Sequence, residues 1–347
     1  MKTRFEPNGI ATGIGSFPFK DPEEAVRTVL KYLPECPFWP QLPRLSRLEG
    51  MTEQYVEGFP GLVETSGSER VDTVGKGQSE LPAFYEKALS GSLEGFSLPE
   101  ERAKGFYAFE KILEKERPQN LKFVKGHVTG PVTLASGLKD QNGRELVNDE
   151  TFREAVAVKI AKNALWQVRR LERFGVPVVI FLDEPVMEVF GSAFSTLDKE
   201  TVLSLWEPSL KALDEAGAIS GIHCCGNTDW ELLFDSGVGI VNFDAFNYVE
   251  KMLLYADKAK SFMDRGGALA WGIVPTSPEI KEVSAGDLLK KLNEGFSAFE
   301  KKGIPLDLLR RQCLLTPSCG MGSLSVEDTV DVLKKLSELS RMFRSQY

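Results

Sequence analysis

The sequence has only two histidines in 347 residues, and it contains no long hydrophobic run. Its longest apolar stretch, residues 176–182, is far shorter than the roughly 20 residues that cross a bilayer, and it includes a proline. The opening is basic but has no apolar segment behind it, so a secretory signal is not expected. Five cysteines, an odd number in a chain this long, favour reduced thiols and a cytoplasmic location.

The chain also lacks a basic cluster long enough to neutralise a row of phosphates, and its net charge is −8. Nucleic acid is therefore not an expected partner, and neither is a membrane. The apolar fraction of 42% is ample for a buried core, which excludes a disordered chain. These features together predict a soluble α/β enzyme.

Eight β-rich runs alternate with longer amphipathic segments along the chain. Several of the helical segments carry start signals, such as Asp21 before a proline and two glutamates, or Ser325 before residues 326–343. This alternation predicts one (β/α)8 TIM barrel that spans residues 1–347. The predicted strands are residues 9–16, 37–43, 121–129, 176–183, 219–225, 238–246, 269–275 and 313–316.

The stretch 44–118, between the second and third predicted strands, is too long for a simple βα connection. Residues 61–74 within it favour a hairpin, and two helical segments follow. An insertion of this size over a barrel mouth could act as a lid. A decorative insertion away from the site is the alternative.

Barrel enzymes place their chemistry at the C-terminal ends of the strands, and the fifth predicted strand ends in SGIHCCGN. Residues two apart in a strand share a face, so His223 and Cys225 converge while Cys224 points away. An imidazole and a thiolate side by side form half of a tetrahedral zinc site. The alternative is a buried thiol beside a hydrogen-bonded histidine.

Two further strand ends strengthen the metal interpretation. Asp244 lies at the tip of the sixth strand, and Cys319 lies in the glycine-rich loop after the eighth. For Cys319 the alternative is a small buried residue in a tight turn. Cys36 and Cys313 are interpreted as packing residues because neither lies at such a strand end. The candidate metal ligands are His223, Cys225, Cys319 and Asp244.

Other strand ends offer polar groups of a different kind. Gly15 and Ser16 end the first strand and could present backbone N–H groups to a carboxylate. Asp183 and Glu184 end the fourth strand on opposite faces, and Asp183 is predicted to point inward. His127, near the rim after the third strand, is interpreted as a hydrogen-bonded structural residue.

Read in order, these strand ends resemble the catalytic C-terminal barrel of cobalamin-independent methionine synthase. The wider superfamily also holds uroporphyrinogen decarboxylase and the corrinoid-dependent thiol methyltransferases. Each motif is short, but six of them in the family's order cover the barrel nearly end to end. They are IGSFP at 14–18, TGPVT at 129–133, LDEP at 182–185, IHCC at 222–225, IVNFD at 240–244 and TPSCGMG at 316–322.

The resemblance implies one zinc ion per chain bound by His223, Cys225 and Cys319. Asp244 stands where the methionine synthases carry a glutamate, so a shorter carboxylate would bind zinc weakly or leave that position open. The implied reaction is attack of a zinc-bound homocysteine thiolate on an activated methyl group, which yields methionine. No residue is assigned as a catalytic acid or base.

The same resemblance implies how homocysteine would be held. Gly15 and Ser16 would bind its carboxylate, and Asp183 would bind its ammonium group. In the family a second acidic residue from the early part of the barrel assists, and Glu53 and Glu64 both remain open for that role.

Two departures bear on the methyl donor. The full-length synthases have a further N-terminal barrel that helps bind folate, and with IGSFP at 14–18 we expect that half to be missing. The family's catalytic histidine after the seventh strand also has no counterpart in WGIVPTSPEI, residues 271–280. The pattern is similar to the short, single-barrel "core" methionine synthases, which take the methyl group from a methylated corrinoid protein. Methylcobalamin, free or on such a partner, is the expected donor.

Three alternatives stay open. The acceptor could be another thiol of the coenzyme M type, although a sulfonate would not need Asp183. A metal-free decarboxylase like uroporphyrinogen decarboxylase would need arginines at the strand ends, which are lacking. A non-enzymatic member could bind zinc or a corrinoid.

Overall fold

The computed structural model describes residues 5–65, 68–192 and 197–346. The strands are β1 Ile10–Ala11, β2 Leu62–Thr65, β3 Ser68–Val71, β4 Val124–Thr129, β5 Lys139–Asp140, β6 Val178–Asp183, β7 Ile219–Cys224, β8 Ile240–Phe243, β9 Ala268–Val274 and β10 Cys313–Pro317. The helices are α1 Pro22–Tyr32, α2 Lys76–Leu89, α3 Lys104–Lys115, α4 Pro131–Gly137, α5 Glu150–Leu171, α6 Lys199–Glu215, α7 Trp230–Asp235, α8 Ala245–Met252, α9 Ala256–Asp264, α10 Ala285–Lys301, α11 Leu306–Arg311 and α12 Val326–Arg344. Within these ranges, no helix has both the length and the apolar character needed to cross a membrane.

Seven strands form one parallel sheet in the order β1-β10-β9-β8-β7-β6-β4. Consecutive strands of this sheet are neighbours in space, and helices separate them along the chain. A curled parallel sheet with this order is consistent with the predicted TIM-like barrel. All the strand ends that carry the motifs therefore meet at one edge of the sheet.

The segment 37–43, predicted as the second strand, makes isolated bridges instead of a continuous strand. Phe38 pairs with Lys125 of β4, and Gln41 pairs with Ser16 beyond β1. These bridges connect the two edges of the seven-stranded sheet. The ladder is interrupted because the segment carries three prolines, which have no backbone N–H to donate.

Two apolar cores lie on the two faces of the sheet. The smaller core takes alternate residues from several strands, such as Val179 and Phe181 of β6 and Ala268 and Ala270 of β9. Its remaining buried members are Phe5, Ile10, Cys36, Ile240 and Leu314. Side chains two residues further along these strands therefore face the barrel interior at its C-terminal mouth.

The excursion between the second and third barrel segments contains the predicted elements. Strands β2 and β3 pair antiparallel, with Leu62 opposite Val71, and helices α2 and α3 follow. Residues 66–67, between the two strands, lie outside the described residues. β5 adds to β3 in parallel and makes a small three-stranded sheet that the sequence did not predict.

The predicted helix starts at Asp21 and Ser325 are confirmed by their hydrogen bonds. The carboxylate of Asp21 accepts from the N–H groups of Glu23 and Glu24 at 2.8 and 3.1 Å. The hydroxyl of Ser325 accepts from the N–H of Asp328 at 3.0 Å. These side chains satisfy backbone donors that have no partner inside the helix.

Glu184 joins the end of β6 to the start of α4. Its carboxylate accepts hydrogen bonds from the backbone N–H groups of Val132 and Thr133, the Thr133 hydroxyl and the Trp206 indole, all at 2.6–3.0 Å. Burial raises the pKa of Glu184 to about 7, while these donors favour the ionised form. A Cβ at Gly130 would lie 2.0 Å from the Glu184 carboxyl carbon, so only glycine fits beside it.

We expect Gly130→Ala to lower the free energy of unfolding by about 2 kcal/mol, because the new methyl group must displace a fully hydrogen-bonded carboxylate. Gly286→Ala is the matched control. A Cβ there meets only the Ser284 hydroxyl at 3.6 Å in the first turn of α10, so this change should stabilise by about 0.5 kcal/mol. Urea unfolding measures both values, and a Gly130→Ala protein as stable as the wild type would contradict the argument.

Candidate functional site

A nitrogen and two sulfur atoms converge at the mouth of the sheet. Nε2 of His223 lies 3.0 Å from Sγ of Cys225, which lies 2.7 Å from Sγ of Cys319. Among the described residues, His223, Cys225 and Cys319 form a group that could hold a metal ion, since their ligand atoms all lie within 4.8 Å of one another. Cys224 faces the other way and is fully buried in the larger core, so the predicted alternation along β7 is confirmed.

Asn242 of β8, which the sequence analysis missed, fixes the orientation of His223. Its amide nitrogen donates to the carbonyl of Ala270 and to the hydroxyl of Thr316, each at 2.9 Å. Its amide oxygen is thus left to accept from Nδ1 of His223 at 2.5 Å. Because Nδ1 donates to this oxygen, Nε2 is the ring nitrogen that faces the sulfurs, as a donor to a thiolate when it is protonated and as a metal ligand when it is not. A buried amide in the apolar run IVNF is the signal that could have found it.

The loop that carries Cys319 packs directly on Ser16. The Ser16 carbonyl accepts from the N–H of Met321 at 2.9 Å, and its hydroxyl accepts from the N–H of Gly322 at 3.3 Å. A Cβ at Gly320 would lie 2.3 Å from the Ser16 hydroxyl, which explains the glycine. The structure therefore brings the predicted carboxylate-binding segment next to the loop of Cys319.

Hydrogen bonds among His223, Cys225 and Cys319 couple the pKa values of the three side chains. Hydrogen bonds from Cys225 and His223 lower the pKa of Cys319 to about 4, against the opposing effect of burial. The pKa of Cys225 is raised for the complementary reason, since it donates to Cys319. Burial alone would lower the pKa of His223, but its hydrogen bond to Cys319 and the negative charge there raise it. These directions describe one thiolate, that of Cys319, stabilised by hydrogen bonds from Cys225 and His223.

The donor chemistry of this group fits a divalent metal. The sulfurs of Cys225 and Cys319 lie 2.7 Å apart, which is farther than the S–S bond of a disulfide at about 2.05 Å, and both thiols are free. One imidazole nitrogen and two thiolates form a donor set that zinc prefers. Three protein ligands leave the fourth tetrahedral position open for a further ligand.

Asp183 ends β6 on the inward face, opposite His223 in the register of β7. It is 8% exposed, and its Oδ1 has no hydrogen-bond partner in the described part of the chain. Burial raises its pKa to about 6, although the positive charges of Lys125 and His223 oppose that rise. A buried carboxylate oxygen without a donor is expensive, so this atom is available to a cationic ligand.

Asp244, the fourth predicted ligand, lies outside the group of three. Its carboxylate caps α8 and accepts from the backbone N–H of Asn247 at 3.0 Å and from the Asn247 side chain at 2.7 Å. Burial raises its pKa. In this structure its oxygens are engaged in capping.

The two acidic residues left open for substrate binding are each paired with an arginine. Glu53 contacts Arg47 at 3.5 Å, and Glu64 contacts Arg102 at 2.5 Å. Glu64 and Arg102 also line a cavity of about 760 Å³ in the excursion. Apart from Glu64, the cavity is lined by none of the predicted site residues, so it is separate from the His/Cys/Cys group.

His127 differs from its interpretation as a hydrogen-bonded residue. Its ring is 2% exposed and stacks on Trp39 with 3.9 Å between ring centroids. Neither ring nitrogen has a hydrogen-bond partner among the described residues. Stacking therefore holds the ring, and its polar atoms are left unused.

No protein-family model and no curated protein matches the chain. Among solved structures, the chain is similar to a B12-independent methionine synthase from Shewanella sp. W3-18-1, determined in complex with selenomethionine. The similarity has 20% sequence identity and a TM-score of 0.47, and it covers 70% of this chain and 67% of that one. A likeness of this size defines neither the family nor the activity of this chain.

We expect Asn242→Ala to weaken binding of Zn²⁺ or Co²⁺ about 10- to 100-fold, because His223 loses the partner that fixes its tautomer. Asn163→Ala is the control, since the buried amide of Asn163 on α5 donates to the carbonyl of Phe96 and its loss should affect stability only. Competition titration against a chromophoric chelator measures both affinities. Equal affinities in Asn242→Ala and the wild type would contradict the role of Asn242.

Proposed function

We propose that this chain is a zinc-dependent thiol methyltransferase that converts homocysteine to methionine. The observation that carries the proposal is the convergence of one imidazole and two thiols at the strand ends. Asp183 lies on the adjacent strand, and its Oδ1 has no hydrogen-bond partner among the described residues. A metal-binding group supplies thiol activation, and the carboxylate supplies recognition of a positive charge. An enzyme that methylates the thiol of an amino acid needs both thiol activation and recognition of the ammonium group.

The group at the strand ends would hold zinc through Nε2 of His223 and the sulfurs of Cys225 and Cys319. When bound, zinc lowers the pKa of a coordinated thiol, so that it is ionised at neutral pH instead of near 8.5. The two cysteine thiolates nearly cancel the metal charge, so a third sulfur there remains electron-rich. His223, held by Asn242, completes the set without adding negative charge.

Homocysteine would be oriented by charges at its other end. Oδ1 of Asp183 would accept a hydrogen bond from the ammonium group. The segment at Gly15 and Ser16 would bind the carboxylate, and this segment packs against the loop of Cys319. A sulfonate such as coenzyme M carries no ammonium group and gains nothing from Asp183. The buried carboxylate therefore favours an amino-acid acceptor.

The proposed donor is a methylcorrinoid, presented as methylcobalamin or by a corrinoid protein. The methyl group passes to sulfur while the electron pair of the carbon–cobalt bond stays on cobalt as Co(I), so the leaving group needs no proton. The segment 271–280 accordingly needs no acid, and it contains no histidine. Thr276 there contacts the hydroxyl of Ser318 at 3.1 Å, and neither group is acidic enough to protonate an amine.

We expect gently purified protein to contain about one zinc per chain, and Cys225→Ser and His223→Ala to lose both zinc and methyl transfer from methylcobalamin to homocysteine. Cys313→Ala is the matched control, because this thiol is fully buried in the larger core away from the site. It should keep its zinc and lose only stability. Elemental analysis and methionine formation test the proposal, and wild-type activity in a zinc-free Cys225→Ser protein would refute it.

We expect Asp183→Asn to keep its zinc but to raise the KM for homocysteine about 10-fold or more, because a charge-assisted hydrogen bond to the ammonium group becomes a neutral one. The acceptor 4-mercaptobutanoate lacks the amino group and serves as the control substrate. Its KM should change less than threefold in the same variant. An equal change for both thiols would show that Asp183 does not recognise the amine.

A further inference from the structure

His127 is a second buried residue near this mouth whose side-chain polar atoms have no hydrogen-bond partner among the described residues. It lies on β4 beside β6, two residues before the pairing of Thr129 with Asp183. A neutral imidazole offers one donor and one acceptor, and both nitrogens of His127 lack a partner within the described ranges. Leaving both unsatisfied in a buried position is costly unless a ligand completes them.

The surroundings of His127 fix its ring without using its nitrogens. The amide of Gln167 accepts from the Trp39 indole at 2.9 Å and donates to the His127 carbonyl at 2.7 Å. Tyr55 donates to the same carbonyl at 2.9 Å. Both the stacking partner and the backbone of His127 are thus held by buried side chains. Such a supported ring is preorganised to contact something else.

The Nε2 edge of His127 faces the segment expected to bind a carboxylate. A Cβ at Gly15 would lie 3.0 Å from Cε1 and 3.1 Å from Nε2 of His127. Because Gly15 has no side chain, this edge of the ring packs directly against the Gly15 backbone, and Nε2 is buried at that contact. A group bound at Gly15 and Ser16 would therefore lie within reach of the His127 N–H.

The charge around His127 favours an anionic partner. Lys125 is fully buried two residues earlier on the same face of β4, and its ammonium group donates to the Ile14 carbonyl at 2.6 Å. Burial of the His127 ring and the positive charge of Lys125 both lower the pKa of His127, so the ring is a neutral donor. A carboxylate near this cation is stabilised, whereas an ammonium group is repelled.

We infer that His127 is a specificity-determining residue that donates a hydrogen bond from Nε2 to the carboxylate of the thiol acceptor, while Asp183 accepts from its amine. This inference rests on the proposed function, and it narrows the acceptor to a thiol that is also an α-amino acid. A zwitterion matches a site that contains a cation, a hydrogen-bond donor and a carboxylate.

The test compares two thiols by titration calorimetry on zinc-loaded protein. Homocysteine carries the carboxylate, and 3-aminopropane-1-thiol is the same molecule without it. His127→Met fills a similar volume without a donor and should weaken binding of homocysteine about 10-fold or more, while 3-aminopropane-1-thiol changes less than threefold. Zinc content should be unchanged, which separates this effect from damage to the metal group.

Two conservative variants keep the test decisive if His127→Met does not fold. Glutamine can place an amide N–H near the position of Nε2, whereas asparagine reaches only the position of Nδ1. His127→Gln should bind homocysteine at least about fivefold more tightly than His127→Asn. Equal affinities of these two variants would assign no donor role to Nε2.

The outcomes distinguish a failure of the inference about His127 from a failure of the proposed methyltransferase function. If the wild type binds homocysteine and His127→Met binds it equally well, or if both thiols weaken together, the role of His127 is overturned and the methyltransferase proposal stands. If zinc-loaded wild type binds neither thiol, the proposed function fails and this inference fails with it.

Discussion

The hydrogen bond from Nδ1 of His223 to Asn242 is the contact on which the site depends. It joins β7 to β8, and the amide of Asn242 reaches Ala270 on β9 and Thr316 on β10. One buried side chain thus ties four neighbouring strands together and selects one tautomer of the imidazole. The direction of the Nε2 lone pair, and with it the geometry of any metal bound beside Cys225, follows from that choice.

Two buried polar groups at the mouth have no partner within the described part of the chain, and they lie on adjacent strands. Burying Oδ1 of Asp183 and the ring nitrogens of His127 costs free energy of folding that an apolar residue at either position would not cost. Other buried polar atoms of the described chain also lack a partner, such as the Ser209 hydroxyl and the Trp271 indole N–H, whereas Glu184 is fully hydrogen-bonded. Asp183 and His127 differ from them because they lie on the strands beside the His/Cys/Cys group, with Lys125 two residues from His127, so a ligand of complementary charge would complete them.

Local periodicity was enough to predict part of this site. The two-residue repeat of a strand placed His223 and Cys225 on one face, and the barrel order brought Cys319 to them across 94 residues of chain. The role of Asn242 could not be read from the sequence, because it depends on partners on two other strands. Nor could the interrupted pairing of 37–43, where prolines remove the donors that a continuous ladder needs.

The short motifs at the strand ends owe much of their composition to mutual packing. Gly130 of TGPVT leaves room for Glu184 of LDEP, and Gly320 of TPSCGMG leaves room for Ser16 of IGSFP. Such pairs explain why these motifs occur together, but a barrel without any chemistry would need them equally. The residues that can carry function are those whose side chains packing does not explain. They are the two sulfurs and Nε2, which together form a donor set suited to a metal, and the groups near them whose polar atoms have no partner among the described residues. On that criterion Asp183 is separated from Glu184 although they are adjacent in sequence, since only Asp183 keeps an oxygen without a donor.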